Sequence, residues 1–176
     1  MQSVVPCFPG SSHENQMAIA SGLFPGSQKA ESCLRTAQSN TSSDCFEPIW
    51  SIYKRQAGGI TALHSWPADS NIKAAYDQSD SYLGYRPDYF INGSLSLQSQ
   101  LDMVLQWLGK SESLRPGLIL VNYDGLRKIA LKRYNQSEIR SELIEIDRSL
   151  DSFFLQLYRN DILGCVNIAI VSDQGE

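Results

Sequence analysis

The sequence lacks the features that usually mark membrane-spanning, nucleic-acid-binding and zinc-finger proteins. No apolar run in its 176 residues has the length needed to cross a bilayer. The basic residues form no dense cluster, and the net charge of −4 gives no attraction for nucleic acid. None of the four cysteines has the close paired spacing of a zinc finger. We therefore predict no nucleic-acid-binding surface, and membrane association only through segments outside this chain.

Strand-like and helix-like patterns alternate along the chain, which is typical of an α/β fold. With 42% apolar and 19% charged residues, the composition indicates one globular domain over residues 1–176. We predict a layered, mostly parallel sheet with helices on both faces. Residues 31–46 form a predicted exposed polar loop, and residues 68–94 are polar and turn-rich. Helices are predicted over residues 12–20, 48–58, 97–108 and 136–158, and strands over residues 60–66, 118–121 and 166–171.

Two of the predicted strands end in an aspartate, Asp124 after one and Asp173 after the other. Both runs are rich in branched apolar residues, as in strands that are covered on both faces. A helix is predicted between the two strands, because apolar residues recur there at alternating spacings of three and four. Strand, helix, strand is typical of a right-handed crossover, which places both aspartates at one sheet edge. Carboxylates brought together there predict a metal site, whereas the alternative is ordinary Asp-Gly turn chemistry. The helical stripe consists of Ile139, Leu143, Ile146, Leu150, Phe153 and Leu157.

Glycosylation sequons and cysteines favour an extracytoplasmic protein. Asn40, Asn92 and Asn135 each begin an acceptor triplet, and Cys33 and Cys45 flank a loop that a disulfide would close. Residues 1–6 have neither the basic segment nor the apolar core of a signal peptide. A truncated N-terminus would reconcile these observations. We predict an extracellular or membrane-anchored ectodomain.

Five stretches in order resemble the ecto-nucleotide pyrophosphatase/phosphodiesterase family of the alkaline-phosphatase superfamily. Residues 8–9 and 21–27 are similar to the segments around the family's nucleophile, and residues 47–50 with 66–67 to its PLW and FFWPG pair. Residues 92–108 resemble the NGS and VLxWL segments, residues 115–124 the following strand, and residues 165–175 the RCVNxIxxSDHG motif. The resemblance implies a partial, alkaline-phosphatase-like catalytic domain. It further implies a threonine nucleophile and two zinc ions acting on nucleotides or other phosphodiesters.

The resemblance also implies roles for individual residues. Ser12 falls at the position of the nucleophilic threonine, although an ordinary helix cap is the alternative. Asp124 and Asp173 fall on metal ligands, and Trp66 falls in a segment implied to bind substrate. Cys165 is implied to bridge to a residue outside the chain. The strand that carries the family's first aspartate ligand is expected before Met1.

Departures from the family pattern concern the metal ligands. Gln174 stands where the family has one histidine ligand. Lys128 stands where the family has another, or Lys132 does if the loop is longer. Glutamine is a poor zinc ligand, and a lysine ammonium opposes a dication. Neither His13 nor His64 falls on a metal position, and His64 within an apolar strand is predicted to be a core histidine.

Two hypotheses follow from these residues. The first is an active metal-dependent phosphodiesterase or pyrophosphatase. The second is a catalytically silent relative, an extracellular binding or interaction domain of the same fold. Loss of metal-ligating histidines weakens zinc binding, so the sequence favours a partial, impaired copy with weakened zinc binding.

Overall fold

The computed structural model describes residues 12–23, 47–66, 86–132 and 136–172 of the chain. The predicted loop over residues 31–46 lies outside them. Helices and a small sheet alternate in the described part, which confirms the α/β class. None of the described helices combines the length and hydropathy of a bilayer-spanning segment. The elements are α1 (Ser12–Ser21), α2 (Ile49–Ala57), β1 (Thr61–His64), β2 (Tyr89–Ile91), α3 (Leu97–Leu108), β3 (Leu118–Val121), α4 (Gly125–Lys132) and α5 (Gln136–Arg159), with 3-10 turns at Glu112–Leu114 and Leu163–Cys165.

The described residues fall into two compact units. The first unit comprises residues 12–23, 47–66, 86–92, 116–120 and 171–172. The second unit comprises residues 93–115, 121–132 and 136–170. That residues 1–176 form a single domain stays a prediction.

The first unit is built on a three-stranded sheet in the order β2-β1-β3. β1 and β2 run parallel, with Ala62 opposite Tyr89 and His64 opposite Ile91. All four residues of β1 are buried, as expected of a central strand covered on both faces. β2 was not predicted, because a three-residue strand within a polar, turn-rich segment gives almost no periodic signal.

Two tryptophans form the centre of the first unit. Trp50 of α2 and Trp66, just after β1, cluster with Leu63 and Ala20. Pro48 precedes α2 in extended conformation, and Gly58 ends the helix with a left-handed φ of 61°. The predicted boundaries of α2 are therefore confirmed. Phe90, Leu118 and Leu120 pack against the cluster from the neighbouring strands.

The ring of Tyr53 in α2 covers two glycines that precede strands. A Cβ atom on Gly59 or on Gly117 would overlap this ring. The Gly117 amide also donates to the carbonyl of Ile60 over 2.9 Å, so the entries to β1 and β3 lie side by side. A side chain at either position would therefore displace the Tyr53 ring.

The carboxylate of Asp88 links α2 to the start of β1. It accepts from the Lys54 ammonium at 2.7 Å and from the Thr61 amide at 3.0 Å. Burial acts to raise the pKa of Asp88, but the bonds from Lys54 and Thr61 outweigh it and lower the pKa. The charge of Asp88 is therefore stabilised where β1 begins.

In the second unit, the long helix α5 packs against α3 and α4. Phe153 and Leu157 are buried on α5, as are Leu101 and Trp107 on α3. The predicted stripe on α5 is thus buried toward its C-terminal end. Leu143, which belongs to the same stripe, is 49% exposed. The predicted helix is therefore confirmed, and its apolar stripe is buried only toward the C-terminal end.

The strand predicted over residues 166–171 is absent from the structure. Residues 166–172 have no regular secondary structure, and Ile168, Ile170 and Val171 are 42, 67 and 50% exposed. The predicted crossover through α5 into a second buried strand is therefore wrong for this structure. Branched apolar residues favour extended chain, but a strand also needs a hydrogen-bonding neighbour, which composition does not specify.

Candidate functional site

Asp124 lies between the end of β3 and the start of α4. Its carbonyl accepts the Lys128 amide at 3.0 Å, so Asp124 precedes the first turn of the helix. All four residues of β3 are half-buried, which corrects the prediction of a strand covered on both faces. The strand-end position predicted for Asp124 is confirmed. Asp173 lies outside the described residues, so its proximity to Asp124 stays a prediction.

The side chain of Asp124 forms an ion pair with Lys128. The Lys128 Nζ is 2.8 Å from Asp124 Oδ1, with the two side chains 46 and 40% exposed respectively. The same Nζ donates to the hydroxyl of Ser94. Lys128 therefore joins the segment before α3 to the start of α4. Lys128, one of the two lysines considered for this position, contacts Asp124.

The residues flanking Asp124 are tied to α5. The Tyr123 hydroxyl donates to the carboxylate of Glu142, and a Cβ on Gly125 would overlap both side chains. Burial raises the pKa of Tyr123, and the Glu142 bond and the charges of Glu142 and Asp124 raise it further. Tyr123 is therefore a neutral donor at physiological pH. The residue before Asp124 is therefore bonded to α5, and Gly125 lies close against the same two side chains.

The side chains at Asp124 do not fit a zinc ion. An ammonium 2.8 Å from the carboxylate repels a dication, and it has no lone pair to offer a metal. Across the part of the chain that the structure describes, no three His, Cys, Asp or Glu side chains converge as a metal-binding group. Gln174 lies outside that part.

Ser12 begins α1 in the first unit, as predicted, and is only 6% exposed. Two further polar residues of the same helix, Asn15 and Gln16, are also buried. A serine at the first turn of a helix faces oriented backbone amides, which favour an oxyanion and a helix cap alike. The position therefore suits both readings of Ser12 that the sequence left open.

The remaining predicted residues are found in varied surroundings. Trp66 is 6% exposed within the core of the first unit, and its predicted role with substrate stays a prediction. His64 is fully buried in β1, which confirms the predicted core position, but neither ring nitrogen has a hydrogen-bond partner among the described residues, so the expected satisfied histidine is not found. Asn92 is exposed directly after β2, where a sequon would be accessible. Cys165 is exposed and is a free thiol in the structure. Asn40 and Asn135 lie outside the described residues.

Three residues of this site were not identified from the sequence: Ser94, Tyr123 and Glu142. The i, i+4 spacing of Asp124 and Lys128 on a helix start is a signal that would have predicted their ion pair. Ser94 and Glu142 meet their partners across 34 and 19 residues of sequence. Contacts at such separations depend on tertiary structure and leave no local pattern.

Known proteins similar to this chain belong to one family. The family model described as type I phosphodiesterase / nucleotide pyrophosphatase matches residues 2–176. An ectonucleotide pyrophosphatase/phosphodiesterase of Caenorhabditis elegans is 30% identical over 98% of this chain and 21% of its own length. An uncharacterized pyrophosphatase/phosphodiesterase of Schizosaccharomyces pombe is 26% identical over 98% of this chain and 37% of its own. The chain thus spans well under half the length of these relatives.

A solved structure shares the fold. Murine ectonucleotide pyrophosphatase/phosphodiesterase 5, as an inactive variant in complex with AMP, superposes with a TM-score of 0.63 at 15% identity. The superposition covers 91% of this chain and 44% of the murine chain. It confirms an alkaline-phosphatase-like fold, of which this chain spans a part.

Proposed function

This chain belongs to the type I phosphodiesterase / nucleotide pyrophosphatase family, and we propose that it binds a nucleotide or related phosphodiester while its hydrolytic chemistry is impaired. The observation that carries the proposal is the ion pair between Asp124 and Lys128, with 2.8 Å between Oδ1 and Nζ. The family resemblance expects a zinc-bound histidine at position 128. A lysine there neutralises the carboxylate without providing a Lewis acid.

Ligand binding is proposed by analogy with the murine structure, which holds AMP. Binding and hydrolysis are separable, because hydrolysis requires stabilisation of the transition state beyond that of the bound ground state. Loss of metal ligands can therefore remove hydrolysis while ligand binding is retained. We propose that such a silent domain acts as a binding or interaction module, in an extracellular setting and glycosylated at the exposed Asn92.

The test is zinc content and hydrolysis of the purified chain. We expect no stoichiometric zinc by elemental analysis, and hydrolysis of a chromogenic nucleotide phosphodiester at the buffer background. The double variant Lys128→His with Gln174→His restores two imidazole ligands and should raise both zinc content and rate, the rate by at least about tenfold. Calorimetric titration with AMP measures binding independently of turnover.

The matched control replaces Arg127 instead of Lys128. Arg127 is exposed on α4, one residue away, so Arg127→His with Gln174→His adds the same number of histidines outside the Asp124 ion pair. This control should leave zinc content and rate unchanged. Stoichiometric zinc together with hydrolysis by the unmodified chain would contradict the proposal.

The second candidate is an active phosphodiesterase, and the position of Ser12 favours it. Ser12 is 6% exposed at the first turn of α1, where backbone amides stabilise negative charge on a hydroxyl oxygen. If the chain hydrolyses phosphodiesters, Ser12→Ala should abolish the activity, whereas Ser21→Ala at the other end of α1 should not.

A further inference from the structure

We propose that the ammonium of Lys128 is the resident cation of the Asp124 site, with Asp124 as its counter-ion and Ser94 as its second partner. The inference deepens the proposed function and rests on it in one respect, since both hold that Asp124 does not bind a metal ion. It goes further by naming the group that replaces the metal and the segments that this group joins.

Lys128 lies one helical turn after Asp124 in the sequence. At this i, i+4 spacing the two side chains lie on the same face of α4, and Nζ reaches Oδ1 at 2.8 Å. An ammonium is a compact point charge with three donors and no acceptor. It can therefore satisfy a carboxylate and still serve a second oxygen.

A second oxygen lies within hydrogen-bond reach of the Lys128 ammonium. The Ser94 hydroxyl, 34 residues earlier in the chain, accepts from the same Nζ. A divalent ion characteristically gathers oxygen ligands from separate segments, and Lys128 gathers two in the same manner. The ammonium joins the segment that leads into α3 to the turn that leads into α4.

The turn that carries Asp124 also has a contact of its own with α5. The Tyr123 hydroxyl donates to the Glu142 carboxylate. A Cβ atom at Gly125 would overlap both of these side chains. The residue that precedes Asp124 is therefore bonded to α5. This arrangement keeps the carboxylate within reach of Lys128.

The experiment is a pair of double-mutant cycles in the full chain, read as melting temperatures. The single variants are Lys128→Met, Asp124→Asn and Ser94→Ala. The two double variants combine Lys128→Met with Asp124→Asn and Lys128→Met with Ser94→Ala. We expect non-additivity of about 2–4 °C for Lys128 with Asp124, and about 1–2 °C for Lys128 with Ser94. The half-exposed side chains keep both values modest. Lys128→Arg retains the cation and should keep most of the wild-type melting temperature.

The matched control is the ion pair of Arg148 and Glu145 on α5. Their atoms are also 2.8 Å apart and one helical turn apart in sequence, but the side chains are more exposed, at 71 and 61%. The same cycle, with Arg148→Met and Glu145→Gln, should be additive within about 1 °C. All variants are first compared by circular dichroism, so that loss of fold is recognised before the cycles are interpreted.

Each result decides the inference in one direction. Non-additivity at both Lys128 pairs, with a wild-type melting temperature that zinc chloride does not change, supports it. Additive effects overturn it, and so does a saturable zinc-induced rise that Asp124→Asn removes. Hydrolysis by the unmodified chain without a zinc response would defeat the proposed function but leave the role of Lys128 intact.

Discussion

The two units bury apolar surface in different ways. In the first unit, β1 has no exposed residue, and Trp50 is fully buried beside it. In the second unit, α5 buries only part of its apolar surface, and Leu155 and Tyr158 remain 42 and 68% exposed. A central strand is enclosed by both neighbours and by helices, whereas a helix on the outside has only one inner face. Apolar residues are therefore more reliable markers of the core in the first unit than in the second.

The largest effect is expected from an aromatic side chain in the first unit. Trp50→Ala should lower the free energy of unfolding by about 3–5 kcal/mol, because it leaves a cavity beside Leu63 and Trp66. Tyr158→Ala removes an aromatic residue that is 68% exposed and should change stability by less than about 0.5 kcal/mol. Urea denaturation of both variants gives the comparison, and equal losses would contradict the difference between the units.

A smaller contrast is expected within α5 itself. Leu157 is fully buried and Leu155 is 42% exposed, although both are leucines on the same helix. Leu157→Ala should cost about 2–4 kcal/mol and Leu155→Ala about 0.5–1 kcal/mol. Thermal melts of the two variants measure the difference directly. If the two losses agree within error, the inner face of α5 has been assigned to the wrong side.

The smallest effect is a pH dependence that belongs to the first unit. Burial lowers the pKa of His64 below its ordinary value of 6.5, so the unfolded chain binds a proton that the folded chain refuses. Stability should therefore fall as pH decreases below 6.5, by at most about 1.4 kcal/mol per pH unit.

The control for this pH dependence is His64→Leu, which should flatten the profile between pH 5 and about 6.5. Glu47 and Asp88 do not act in this range, because their pKa values are lowered from 4.5 and 3.8 and their contribution is lost only in stronger acid. For Glu47 the bond from Arg55 is the main cause. An unchanged slope in the leucine variant would assign the effect to other groups.

Much of the first unit could be predicted from the sequence, since its signals are local. Pro48 and Gly58 mark the ends of α2, and Pro67 marks the end of the segment that forms β1. The strand β2 was missed because three residues carry no periodicity. The segment over residues 166–171 was wrongly assigned because its composition predicts extended chain, whereas pairing depends on a neighbour distant in sequence.

The candidate site was predictable to a similar degree. The strand end at Asp124 and the lysine at position 128 were identified from the sequence, and they form an ion pair in the structure. Ser94 and Glu142 were not, because tertiary packing brings them to the site. The predicted meeting of Asp124 with Asp173 is untested, since Asp173 lies outside the described residues.

The ring of Tyr53 over Gly59 and Gly117 has a consequence for how this sequence can diverge. An alanine at either glycine overlaps the ring, whereas a small residue at position 53 would release both positions. Three sites separated by up to 64 positions in the chain are thus coupled through the position of one ring. Homologous sequences should retain this tyrosine with both glycines, or have replaced the aromatic residue first.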